Sequence, residues 1–141
     1  MFAGRGDTPV PEGHESWPTF DRDVLGCRYE GHYGIKKSGS PKTFVWVAEG
    51  TSPHAILSNV GRNEAAVPSW LYKSRELGDK TNVLQWGRLE NSSEKEPATW
   101  TNTTRWGGKV FYTMLRHPED FQSADFRTML KNAARWATES P

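Results

Sequence analysis

The sequence predicts a single small domain of the α/β class. Residues 124–138 carry an apolar residue at every third or fourth position, the period of a helix packed by one face, and Ser123 before them is a suitable N-cap. Several separate runs rich in β-branched and aromatic residues have the length of strands. The 141 residues include seven Trp and six Phe, enough large side chains for one core. Strands mixed with a helix favour α/β, although periodicity leaves the strand directions open.

The first half of the chain alternates loops with short elements. Residues 1–20 are rich in Gly, Pro and charge and are predicted to form a loop, followed by a helical turn at 21–25. The stretch 28–34 is aromatic and polar and contains two glycines, so we expect a loop that could approach a ligand. A strand is predicted at 43–48 and one helical turn at 54–60.

The second half is predicted to hold most of the strands. Residues 70–73 and 82–87 have strand composition and are separated by a charged turn. The polar residues 91–97 are predicted to be a linker. After it, 98–101 and 109–115 flank a Trp-Gly-Gly turn and are expected to pair as a hairpin.

Composition excludes several classes of partner. Eighteen Lys and Arg against seventeen Asp and Glu leave a formal charge of +1, too little for a field that would hold nucleic acid or an anionic membrane. No apolar run reaches membrane-spanning length, so we expect a soluble chain, cytoplasmic or exported.

The single cysteine, Cys27, cannot form an internal disulfide and is expected to be a small buried hydrophobe rather than a nucleophile.

Residues 96–137 carry a succession of motifs: Pro-x-x-Trp-Thr, Gly-Gly-Lys-Val-Phe-Tyr, Leu-x-His followed by acidic residues and Phe, and Phe-Arg-x-x-Leu ending in Trp-Ala. In order and spacing these closely resemble the closing segment of ThuA-like (trehalose utilisation) proteins, which are related to the class I glutamine amidotransferases. Trp-Pro-x-Phe-Asp at 17–21, Val-Leu-Gly at 24–26, Gly-His-Tyr-Gly at 31–34 and His-x-Ile-Leu at 54–57 extend the resemblance. The chain differs from the family at Arg116, where a glycine is usual, and at Ala55, where a proline is usual.

The resemblance implies a flavodoxin-like, class I glutamine amidotransferase-like parallel sheet with flanking helices. It also implies that residues 1–141 are the C-terminal part of one such domain, with a loop at 1–20 and the sheet and helix portion at 21–141, and that the first strands are missing. The implied function is action on a sugar, or on an oxidised (keto) sugar or disaccharide, without glutaminase activity. A second copy of the chain or a partner dehydrogenase would be the protein partners.

His117 is the leading candidate site residue, because it directly follows a predicted strand, where α/β folds place ligands. Its position resembles that of the amidotransferase histidine. Glu119 or Asp120 could orient its imidazole, or these acids could simply stabilise the start of the next helix. Arg116 is a candidate substrate contact, since it replaces the family glycine.

His32 is the second candidate, and Glu30 and Tyr33 beside it are candidate substrate contacts. An exposed turn without chemistry is the alternative. His32, His54 and His117 could converge on a divalent metal, but they lack the short fixed spacing of a zinc motif.

Aromatic residues near the predicted hairpin supply a further candidate. Trp100 and Thr101, with Trp106, could form a platform for a sugar ring, although strand tryptophans belong to the core more often. An enzyme that uses His117 and His32 in acid-base or metal-binding roles, with an acidic neighbour to orient them, is the first hypothesis. A noncatalytic carbohydrate-binding or interaction module is the alternative.

Overall fold

The computed structural model describes residues 11–33, 39–50 and 53–139. The predicted opening loop therefore lies partly outside the described residues, as does the end of the predicted loop 28–34. These described residues contain seven strands: β1 (Arg28–His32), β2 (Thr43–Val47), β3 (Ala65–Val67), β4 (Tyr72–Arg75), β5 (Asn82–Leu89), β6 (Glu96–Thr103) and β7 (Lys109–Thr113). The helix α1 spans Ala124–Thr138, and short helical turns occur at Asp21–Leu25, Ala55–Leu57 and Pro118–Gln122.

All described strand pairs are antiparallel. Five strands form a curled sheet in the order β3-β2-β5-β6-β7, and β1 pairs with β4 in a separate two-stranded sheet. The predicted flavodoxin-like α/β fold with a parallel sheet is therefore wrong for this chain. The physical reason lies in the connections: residues 90–95 and 104–108 are too few for the crossover that parallel strands require, and α1 follows the last strand.

The predicted helix is confirmed with its cap. The Ser123 hydroxyl accepts a hydrogen bond from the Phe126 amide at 3.3 Å, and the helix runs over Ala124–Thr138. The buried residues of its apolar stripe are Phe126, Met129 and Ala133. They pack in the main core with residues of β2, β5 and β6. None of the described helices is long and apolar enough to cross a membrane.

Two differences from the prediction bear on the site. The predicted loop at 28–34 contains the strand β1, which pairs with β4 through an irregular step between Tyr29 and Gly31. The predicted linker 91–97 ends inside β6, whose residues are buried from Glu96 through Asn102. Cys27 is buried beside Trp100, as expected of a small hydrophobe.

Candidate functional site

His117 begins the turn Pro118–Gln122, close to the end of β7. Its Nδ1 accepts a hydrogen bond from the Glu119 amide at 3.2 Å, and the Asp120 carboxylate accepts one from the His117 amide at 2.8 Å. This reciprocal pair is a capping box, and it fixes both the turn and the ring. With Nδ1 acting as an acceptor, the neutral imidazole carries its proton on Nε2, which makes that atom a hydrogen-bond donor.

The side chain of Ser69 stabilises the turn through hydrogen bonds. Its buried hydroxyl accepts hydrogen bonds from the amides of Arg116 at 2.9 Å and His117 at 3.0 Å, and it donates one to Asp120. Asp120 is only 3% exposed, so these contacts are made away from water. Nothing in the local sequence around Ser69 signals this role, because its partners are far away along the chain.

A cleft opens beside this turn and is lined by Pro68, Ser69, Trp70, Arg116, His117 and Pro118. It encloses about 390 Å³, and we call it the Trp70 cleft. His32 stacks on Trp70 with ring centroids 5.4 Å apart and an angle of 15° between the planes. Trp70, a residue that the sequence favours as core, thus contacts His32 and lines the cleft together with His117.

Aromatic rings contact the side chains of His32 and Arg116. His32 lies directly across from Tyr72 in the β1–β4 pair, and its Nδ1 is 3.4 Å from the Tyr29 hydroxyl. The Arg116 guanidinium lies over the Tyr72 ring at 5.4 Å from its centroid. Arg116 replaces the family glycine and therefore places a positively charged group at the same surface.

Glu30 and Tyr33 belong to a charge network around a buried carboxylate. Glu96 is 1% exposed; it accepts hydrogen bonds from the Tyr33 hydroxyl at 2.6 Å and from Arg75. Glu30 pairs with Arg28 at 2.5 Å and lies 3.9 Å from Arg75. Burial, with the hydrogen bond to Glu96 as the second cause, raises the pKa of Tyr33, and the hydrogen bond to Glu96 raises the pKa of Arg75. The network joins the end of β1, and so His32, to the start of β6.

Comparison with known proteins supplies the family. The ThuA family model, described as trehalose utilisation, matches residues 4–137. The chain belongs to the ThuA family. This membership gives it a role in carbohydrate metabolism related to trehalose utilisation. No curated protein matches the chain.

The remaining candidates of this ThuA-family chain lie away from the Trp70 cleft. His54 caps the turn Ala55–Leu57, where its Nδ1 accepts from the Ile56 amide at 3.2 Å, and it contacts Trp136 of α1. Trp100 is fully buried, and Thr101 is buried on the same strand. Trp106 is 59% exposed at the β6–β7 turn, where it meets Trp17 and Arg105.

The three candidate metal-ligating histidines do not form one cluster, since His54 faces α1 while His32 stacks on Trp70. Within the described ranges, no three side chains of His, Cys, Asp or Glu are arranged to hold a metal ion.

The placement of His54 makes stability depend on pH. Burial lowers the pKa of His54 below its ordinary value of 6.5, and the neutral ring is needed to accept the Ile56 amide. The unfolded chain therefore binds a proton that the folded chain does not, so this contribution is present above pH 6.5 and is lost as the pH falls through the lowered pKa. Thermal unfolding between pH 7.5 and 5 should show a smaller loss of stability for His54→Asn, which can keep the cap, than for the wild type. An equal loss in both proteins would contradict this role.

Proposed function

We propose that this ThuA-family chain binds a sugar or a keto sugar in the Trp70 cleft and acts on it there. One observation carries the proposal: Trp70, Arg116 and His117, whose side chains are an indole, a guanidinium and an imidazole with an N–H donor, line the same cleft. Aromatic faces suit the apolar faces of sugar rings, while fixed donors suit their oxygens. The His32 ring stacked on Trp70 adds a titratable group at the edge of this surface.

The proposed chemistry is proton abstraction next to a carbonyl group. Arg116 and the Nε2–H of His117 would donate hydrogen bonds to the carbonyl oxygen, where negative charge develops. His32, as a neutral base, would take the proton from the adjacent carbon, and the electron pair of that C–H bond would move onto the oxygen. An oxidised sugar suits this arrangement better than an unoxidised one, because only the carbonyl compound can accept that electron pair.

Calorimetric titration with trehalose and with a keto derivative of it tests the binding step. We expect the keto compound to bind more tightly and Trp70→Ala to weaken it roughly tenfold. His117→Asn is the matched variant for the imidazole, since asparagine can keep the N-cap while removing the Nε2–H donor. Trp106→Ala, at an exposed tryptophan outside the cleft, should bind like the wild type. Unchanged affinity in Trp70→Ala would contradict the proposal.

A noncatalytic carbohydrate-binding module is the second candidate, and it is favoured by one contact. The Nδ1 of His117 is engaged in the cap of its turn, a purely structural use of the ring. Exchange of the keto sugar's α-proton for solvent deuterium separates the two functions. Exchange that His32→Gln abolishes while binding persists supports the enzyme. Binding that survives both histidine replacements, with no exchange in the wild type, supports the module.

A further inference from the structure

A second cavity lies on the other side of the His117 turn, between β3, the turn and α1. It encloses about 180 Å³ and shares Pro68 with the Trp70 cleft. Its walls combine apolar side chains such as Val67, Phe126 and Met129 with buried polar ones. A volume below the usual range for drug-sized ligands suits a single small ligand.

Asp120 presents an unused acceptor in this region. One carboxylate oxygen, Oδ2, accepts from the Ser69 hydroxyl and the His117 amide, while the other, Oδ1, is buried without a hydrogen-bond partner. Asp120 is among the residues that line the second cavity. A buried carboxylate oxygen without a donor costs free energy, and a ligand that supplies the donor would remove that cost.

Gln85 supplies a hydrogen-bond donor, whereas Asp120 supplies an acceptor. Hydrogen bonds run from the Leu115 amide to the Thr113 hydroxyl (3.2 Å), on to the Thr99 hydroxyl (3.0 Å) and finally to Oε1 of Gln85 (2.8 Å). This order leaves the amide NH₂ of Gln85, itself a residue lining the cavity, as a donor for a ligand oxygen.

The described charges around the cavity are all negative. Glu119, Asp120 and Asp125 line it, whereas none of its described lining residues is Lys, Arg or His. Such a surface attracts a cation and repels an acidic sugar. We infer that the second cavity binds a small amino sugar or amino polyol, with its ammonium group on Oδ1 of Asp120 and a hydroxyl on the Gln85 amide.

Nitrogen-15 NMR titration of the whole chain with glucosamine and, separately, glucose tests this inference. The His117 amide reports on the site, because it donates to the same carboxylate. We expect saturable shifts with glucosamine and at least tenfold weaker binding of glucose, since a charge-assisted hydrogen bond is lost. Asp120→Asn should abolish this preference. The asparagine keeps an oxygen that accepts hydrogen bonds from Ser69 and His117, and it has an NH₂ donor in place of Oδ1.

Two further variants make the result independent of folding defects. Ala66→Trp changes an exposed residue of the edge strand β3 that lines the cavity, and it should block both sugars. Glu94→Gln removes an exposed carboxylate elsewhere and should bind like the wild type. Equal affinities for the two sugars in the wild type, or a preference that persists in Asp120→Asn, would overturn the inference. Absence of saturable shifts with both sugars would also overturn it and leave water as the occupant.

Discussion

Replacing Trp100 with alanine is expected to lower the free energy of unfolding by about 4 kcal/mol, within the range for removing a buried aromatic side chain. Trp100 is fully buried, and its ring stacks on Tyr112 with centroids 3.9 Å apart. Its Nε1–H donates to the Leu25 carbonyl at 2.7 Å, which anchors the turn Asp21–Leu25 to β6. Alanine would leave a cavity and a carbonyl without its donor.

Urea unfolding followed by circular dichroism would measure this loss. Trp100→Phe keeps most of the ring volume and removes the N–H donor, so it should cost less, about 1–3 kcal/mol. Trp106→Ala is the matched tryptophan control, and its exposed position predicts a change of about 0.5 kcal/mol or less. If Trp100→Ala kept the stability of the wild type but lost sugar binding, that result would contradict a purely structural role and support the candidate platform role of Trp100.

The contrast between α1 and the sheet shows what the sequence could predict. The helix is specified locally, because Ser123 caps it and its apolar stripe repeats within one segment. Strand direction depends instead on which segments pair, and a β-rich run carries no such information. The short connections at 90–95 and 104–108 favour antiparallel pairing, whereas the family resemblance implied a parallel sheet.

The candidate site was predictable only in part, for a similar reason. His117 and His32 have local signals, namely a strand end and neighbouring glycines. Ser69 contacts residues nearly fifty positions away in the chain, and Trp70 stacks on His32, which belongs to the strand β1. Contacts of this kind arise from tertiary packing, which residue type and spacing in one sequence do not reveal.

Replacing Glu96 with alanine should lower the free energy of unfolding by about 3 kcal/mol. At this residue the structure differs clearly from the sequence-based prediction. The polar composition of residues 91–97 predicts a linker that includes Glu96, but here the carboxylate is buried and accepts hydrogen bonds from Tyr33 and Arg75. Alanine would leave both partners without their acceptor. Arg75 is 40% exposed and can turn to water, which keeps the cost at the low end for a broken buried pair.

A double-mutant cycle of Glu96→Gln with Tyr33→Phe would isolate the contact between the two side chains. Alkaline unfolding gives an independent test. Because the pKa of Tyr33 is raised above its ordinary value of 10.0, the unfolded chain loses this proton first, and stability falls as the pH rises beyond 10. Tyr33→Phe should show a shallower fall. If it fell as steeply as the wild type, and Glu96→Ala were as stable as the wild type, the network would not be what joins His32 and β1 to β6.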